Sequence, residues 1–194
     1  MKISFDHFDF LAPIYEKFIH PHEMEEFWRI VDLPSEGYLL DAGGGTGRVS
    51  QYARDSGCTI VVSDLSLPML REAAGKGCLY PAVTQVEQMP FSSRSFDRVI
   101  MVDALHHVFV QKNTIEELWR LIKPGGSIVI LEPNIEKFTI KLLALAEKIA
   151  LMRSHFLSVD EVLSFLPDTQ AEKTVIRLAN DYYIKITRRD KPNS

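Results

Sequence analysis

Leu39-Leu40-Asp41-Ala42-Gly43-Gly44-Gly45-Thr46-Gly47 joins a short apolar run to a polar segment. Tyr38-Leu39-Leu40 predicts a buried strand ending at Asp41, and a helix is expected over Arg48–Ser56. Glycines between a strand and a helix let the chain turn tightly and let a ligand approach the backbone. The following helix would offer unpaired N–H groups, and open α/β sheets bind ligands at the carboxyl ends of their strands. A phosphate-gripping P-loop is excluded, because Gly47 is followed by Arg48 and Val49 rather than Lys-Ser/Thr. The dinucleotide spacing G-x-G-x-x-G also fails: its last glycine would fall on Arg48 or on Ser50.

Outward from this loop, strands and helices alternate. Thr59–Ser63 is a β-branched strand. Ser66 is placed to N-cap a helix with Pro68 in its first turn, running to about Lys76. Leu79–Val83 and Phe96–Val102 follow as strands and Thr114–Ile122 as a helix. Lys123-Pro124-Gly125-Gly126 ends that helix and leads into the strand Ser127–Leu131. Near-continuous apolar strands alternating with helices imply a parallel sheet covered on both faces. Upstream, Glu23–Val31 has helical spacing, and Phe5–Phe18 gives an apolar face interrupted at Pro13. Downstream the pattern changes. Ile135–Met152 is amphipathic, Ser158-Val159-Asp160-Glu161 is a capping box opening a helix to Leu166, and Thr174–Leu178 with Tyr182–Thr187 reads as a hairpin turning at Ala179-Asn180-Asp181.

The 194 residues suit one domain with one substantial core, and 46% apolar with 25% charged residues is ordinary for a globular protein. No apolar run reaches membrane-spanning length, and the opening residues lack a secretory pattern, so the chain is read as cytoplasmic. A net charge of −4 argues against a nucleic-acid footprint. Cys58 and Cys78 have no metal-ligand spacing and are expected to be reduced and close together. His20-Pro21-His22-Glu23 reads as helix approach rather than a metal site, so no metal is expected. Asp64, at the end of the second strand, can accept hydrogen bonds from both hydroxyls of a ribose.

Five segments in order then resemble the class I S-adenosylmethionine-dependent methyltransferases, especially the group of ubiquinone and menaquinone biosynthesis enzymes. They are Leu39–Gly47; Val62–Ser66 with Met69-Leu70; Glu87–Phe91 with Ser95–Asp97; Asp103–Val108; and Leu118–Gly126 with Ile130–Pro133. The resemblance covers residues 38–133. It implies a Rossmann-like seven-stranded α/β sheet of order 3-2-1-4-5-7-6 with the seventh strand antiparallel and helices on both faces. It also implies S-adenosylmethionine as cofactor. Asp41, Gly43 and Gly45 would line its methionine part, Asp64 would hold the ribose, and Leu65 would pack on the adenine. Asp103 and His107 would face the methyl-transfer pocket, with His107 as an auxiliary base. Where the family reads Gly-Asp-Ala, this chain reads Thr84-Gln85-Val86, so Gln85 with Val86 is expected at the adenine. A Gln carbonyl can accept the bond a carboxylate otherwise takes.

On this reading the chain divides into an N-terminal helical lid (1–36), a cofactor-binding core (37–133), a second helical lid (134–170) and a closing hairpin (171–190). The lids carry Phe8, Tyr15, Phe18, Trp28, Phe138, Leu142, Leu145, Phe156 and Phe165, which suits an apolar or aromatic small-molecule acceptor. Two alternatives stand beside it: a non-catalytic S-adenosylmethionine-binding module, and a nicotinamide oxidoreductase, which the glycine spacing and the antiparallel ending disfavour. Monomer and homodimer are both compatible with the sequence.

Overall fold

A computed structural model of the chain describes residues 21–135, 155–166, 171–178 and 181–189. Helix α1 (Pro21–Val31) leads into β1 (Gly37–Ala42), a 3₁₀ turn (Ser50–Ala53), β2 (Cys58–Asp64), α2 (Leu67–Gly75), β3 (Leu79–Val83) and β4 (Phe96–Val102). A second 3₁₀ turn (Leu105–His107) precedes α3 (Gln111–Leu121) and β5 (Ile122–Pro133). Then come α4 (Val159–Ser164), β6 (Ala171–Arg177) and β7 (Asp181–Arg188).

The strands form one sheet of order β3-β2-β1-β4-β5-β7-β6. β1 pairs in parallel with β2 and β4, whereas β7 runs antiparallel to β5 and β6. This is the expected order, with the expected reversal at the seventh strand. Alternation along each strand separates two apolar layers. Leu39, Ile60, Ile100, Val129 and Tyr183 face one side with α1 and α2, and Leu40, Val99, Met101, Ile128 and Ile184 face the other with α3 and α4. Both faces are covered, as a largely parallel sheet requires.

Local signals fared well. Ser66 caps α2, accepting from the N–H of Met69 at 3.3 Å. Ser158 and Glu161 close the capping box of α4, the Glu161 carboxylate accepting from the Ser158 N–H at 2.8 Å. The C-terminus of α1 is stopped by tertiary partners instead. Arg98 Nε donates to the carbonyls of Val31 and Asp32, and Lys185 Nζ donates to that of Ile30 at 2.7 Å. Two cations thus meet the negative end of the helix dipole.

Two expectations need correcting. Arg48–Ser56 is not an α-helix: the chain makes i→i+3 bonds from Tyr52 to Val49 and from Arg54 to Gln51. Gln51 Nε2 donates to the Arg48 carbonyl at 2.8 Å, and so short a polar segment stays in the tighter 3₁₀ form. β5 begins at Ile122, which pairs with Phe96, while Ser127 pairs with Arg98. Lys123–Gly126 is therefore an irregularity inside the strand rather than a separate connector. The two cysteines are free: Cys58, at the start of β2, is buried and bonded through Sγ to the Pro34 carbonyl, and Cys78, just before the neighbouring β3, is exposed.

The aromatic segment Phe5–Phe18, most of the helix over Ile135–Met152 with Phe138, Leu142 and Leu145, and the turn at Ala179-Asn180 lie outside the described residues. The described part of the second lid is core rather than cover. Leu157, Val159, Val162 and Leu166 are buried among the β5 and β7 side chains. Phe27 of α1 is likewise fully buried.

The loop before β4 is held by one carboxylate. Glu117 on α3 accepts from the N–H of Met89 at 2.6 Å and takes both Nε and Nη2 of Arg120, at 2.7 and 2.8 Å. Arg120 also reaches the Met89 carbonyl and Ser93 Oγ. Glu117→Ala should leave a buried N–H unsatisfied and destabilise the fold by about 2–3 kcal/mol. Urea denaturation measures it; a loss below about 0.5 kcal/mol would show that the loop does not depend on this carboxylate.

Candidate functional site

The carboxyl ends of β1, β2 and β4 open into a cleft of about 190 Å³. Its floor is the glycine loop. Gly43, Gly45 and Gly47 have φ of +71°, +54° and +68°, a region that side chains other than glycine rarely adopt. Gly44 is required for a different reason: a Cβ there would stand 2.4 Å from Asp41 Cγ. The loop packs directly on the Asp41 carboxyl. The N–H groups of Gly43 and Gly44 donate to the Ser63 carbonyl at 2.8 and 3.1 Å, which ties the loop to the end of β2.

Asp64 is gripped from both sides. The Gly45 N–H donates to Oδ2 at 2.9 Å and the Ser66 N–H to Oδ1 at 2.8 Å. Asp41 is 2% exposed, and its Oδ2 has no hydrogen-bond partner. Burial pushes its carboxyl up from the ordinary value near 3.8 to about 6; the adjoining Ser50 hydroxyl and Arg48 guanidinium offset part of that, and the Asp64 charge adds to it.

The opposite wall is the loop after β4. Asp103 has φ +50°, and its N–H donates to the Leu131 carbonyl at 2.9 Å. Its carboxylate meets Arg48 Nη2 at 2.7 Å across the cleft. Behind the loop lies Glu132, 3% exposed. Its Oε1 accepts from the N–H groups of Ala104 and Leu105 at 3.0 and 2.8 Å, and its Oε2 pairs with His106 Nδ1. His106 stacks on Phe156 at 4.4 Å, and the His155 N–H donates to its carbonyl. The next residue, His107, is the one that faces the cleft. Burial and the neighbouring His106 lower its pKa to about 3, so the ring is neutral at physiological pH.

Asp41, Gly43, Gly45, Asp64, Leu65, Val86, Asp103 and His107 therefore converge on one cleft, as the motifs anticipated. Gln85 does not. It is exposed and bridges to Gln88, and its neighbours Thr84 and Val86 form the wall. The triplet leaves β3 and enters a turn, the Gln88 N–H donating to the Gln85 carbonyl at 3.1 Å. Sequence reasoning missed Arg48, Glu87, Phe109 and Glu132. Glu87 Oε1 accepts from the N–H groups of Phe109 and Val110 at 2.7 and 3.1 Å, joining the two walls. Glu132 carried a signal: a carboxylate closing an apolar strand must find partners when buried. Among the described residues no group of His, Cys, Asp and Glu could hold a metal, and no helix is long and apolar enough to cross a membrane.

Residues 40–130 match the family described as a methyltransferase domain. A malonyl-[acyl-carrier protein] O-methyltransferase of Enterobacter lignolyticus is 36% identical over 48% of this chain and 39% of its own length. A demethylmenaquinone methyltransferase of Clavibacter sepedonicus is 33% identical over 56% of this chain and 48% of its own. The chain thus spans less than half the length of these relatives. Among solved structures, the YcgJ protein of Bacillus subtilis superposes with a TM-score of 0.76 at 14% identity, covering 89% of this chain and all of the other. A Haemonchus contortus phosphoethanolamine N-methyltransferase solved with S-adenosylhomocysteine gives 0.75 at 16% identity, covering 94% of this chain and 58% of its own.

The Asp41 carboxyl supplies a test of the site. With its folded pKa raised, Asp41 keeps a proton between about pH 4 and pH 6 that the unfolded chain releases, so its contribution to stability falls as pH rises through that window. Asp41→Asn removes this dependence. Relative to wild type, the variant should gain about 3 kcal/mol between pH 4 and pH 7. Chemical denaturation of both proteins across that range measures it, and a difference that does not change with pH would refute the buried, unpaired carboxyl.

Proposed function

We propose that this chain binds S-adenosylmethionine in the cleft and transfers its methyl group to a small, apolar or aromatic acceptor. The observation that carries the reading is Asp64: a carboxylate at the end of β2, oriented by the Gly45 and Ser66 N–H groups and lining the cleft beside its glycine floor, where a ribose can meet it. Charge supports it. Among the described residues the cleft is lined by Asp41, Asp64, Glu87 and Asp103 against one cation, Arg48, which favours a cationic ligand. The orphaned Asp41 Oδ2 fits the same ligand, since a nearby cation relieves a buried carboxylate. Leu65, half exposed at the mouth, offers an apolar face for the adenine. In place of Gln85, we assign the adenine wall to Thr84 and Val86.

When bound, S-adenosylmethionine supplies a methyl group already activated by its sulfonium charge. The remaining task is to align an acceptor in line with it and to exclude water. Asp103 and His107 stand on the loop after β4, and Glu132 fixes that loop through Ala104, Leu105 and His106. A neutral His107 can accept a hydrogen bond from an acceptor's O–H or N–H and so orient it. Its low basicity makes it a poor resting place for a proton, so alignment outweighs acid–base catalysis here. Val108 and Phe109 give the acceptor side apolar surface, and the quinone named for one relative is an acceptor of that kind.

Calorimetry tests the cofactor. S-adenosylmethionine and S-adenosylhomocysteine should bind and NAD should not. Asp64→Ala should weaken binding by about 2–4 kcal/mol. Unchanged affinity in that variant would sink the assignment.

Once an acceptor is found, kcat should show no inflection between pH 5 and 8 that depends on His107. A limb near pH 6.5 that is present in wild type and absent in His107→Gln would establish a general base and overturn the alignment reading.

A further inference from the structure

His106 and His107 are adjacent on the loop after β4 and face different surroundings. The 3₁₀ turn Leu105–His107 advances roughly 120° per residue, so neighbouring side chains leave it in different directions. His106 is 5% exposed, whereas His107 lines the cleft. Their rings nevertheless touch, with centroids 3.9 Å apart and planes inclined at 49°. His106 also lies almost parallel to Phe156, at 4.4 Å and 14°. Phe156, His106 and His107 thus form three rings in series.

The middle ring is firmly held. Glu132 Oε1 accepts two backbone N–H groups, so the side chain is a carboxylate, and its Oε2 faces His106 Nδ1 as an acceptor. The hydrogen of that bond therefore belongs to Nδ1. A bond at one edge and an aromatic face against Phe156 fix both the position and the plane of His106. Its backbone is tied as well, since its carbonyl accepts from the His155 N–H at 2.7 Å and Gln111 Nε2 donates to the His155 carbonyl.

His107 gains from such a support. The last torsion of a histidine side chain is broad, so rotamer preference leaves the ring plane open. Yet that plane decides the direction in which a ring nitrogen meets an acceptor. Burial and the neighbouring His106 keep the His107 ring neutral, so direction rather than basicity is what it offers.

We propose that His106 is a positioning residue for methyl transfer: held by Glu132 and Phe156, it gives His107 the surface against which its ring plane is set toward the acceptor. This rests on the reading of the cleft given above, with His107 beside the acceptor. The support draws on three segments, since His106 follows β4, Glu132 lies near the end of β5 and Phe156 precedes α4. A ring plane set in advance spares the ordering cost when the acceptor arrives.

Two substitutions separate the ring from the bond. His106→Phe keeps a ring against His107 and Phe156 but loses the donor to Glu132. His106→Asn keeps a donor near the Nδ1 position but loses the ring. The readout is NMR of the free protein carrying isotope-labelled histidine, with signals assigned by substitution. Wild type should give one sharp set of His107 ring signals, displaced by ring currents and with Overhauser contacts to the His106 ring. His106→Asn should move these signals toward those of free imidazole. His106→Phe should keep them, even though it leaves Glu132 one donor short and lowers stability. If His106→Phe does not fold, Phe156→Leu takes its place: it spares the Glu132 bond and should displace the His107 signals less than His106→Asn does. Signals unchanged in His106→Asn, or displaced equally by the two His106 substitutions, would overturn the proposal. Once an acceptor is found, kcat should fall about 10- to 100-fold in His106→Asn, with the KM for S-adenosylmethionine within about two-fold of wild type. His106→Phe should recover most of that loss. A displaced His107 ring with unchanged kcat would instead refute the reading that puts His107 at the acceptor.

Discussion

The carboxyl of Asp41 lies directly under the glycine loop, and much of the site follows from that contact. A Cβ at Gly44 would stand 2.5 Å from Asp41 Oδ2, so the loop can descend this far only without one. The descent lets Gly43 and Gly44 bond to the end of β2 and brings the Gly45 N–H to Asp64. It also buries Asp41 and holds its proton to about pH 6. The cost in folding stability is of the kind that binding sites tolerate when a ligand of opposite charge relieves it.

The second wall depends on a different buried carboxylate. Glu132 satisfies Ala104 and Leu105 and orients His106, so the loop after β4 is anchored to the end of β5. His106 in turn stacks on Phe156, and Tyr182 Oη donates to the Leu157 carbonyl at 3.2 Å. The segment 155–157 is thereby fastened to both the sheet and the loop. A charge buried in this way is costly unless every acceptor site is used, which is why Glu132 collects three donors. Glu87 completes the frame by joining the wall after β3 to the start of α3. The cleft is thus bounded by two walls that carboxylates hold in place and a floor that glycines keep low.

Several features were legible in the sequence because their causes are local. Ser66 with Pro68 and Ser158 with Glu161 start helices through bonds made within one turn, so the residues announce them. The alternation of apolar strands with helices announced a parallel sheet, and the closing hairpin announced its antiparallel end. The full strand order came from the family's motifs rather than from periodicity. Asp41, Gly43, Gly45, Asp64, Asp103 and His107 reach the cleft because strand ends in such a sheet point to one edge. The segment Arg48–Ser56 was misread because helical spacing over nine residues cannot separate an α-helix from a 3₁₀ turn when polar side chains compete for the backbone.

The sequence by itself determined the elements, their order and the chemical types available at the strand ends, since these depend on neighbours within a few residues. Only the tertiary structure decided which residues of the Thr84-Gln85-Val86 triplet face the cleft, because the triplet leaves β3 into a turn whose path is set by its neighbours in space. It also decided the pairing of Arg48 with Asp103 and of Glu132 with the loop after β4. Those partners are separated by 55 residues in one case and by 26 to 28 in the other. No local rule relates residues so far apart; the packing of β1, β4 and β5 side by side does.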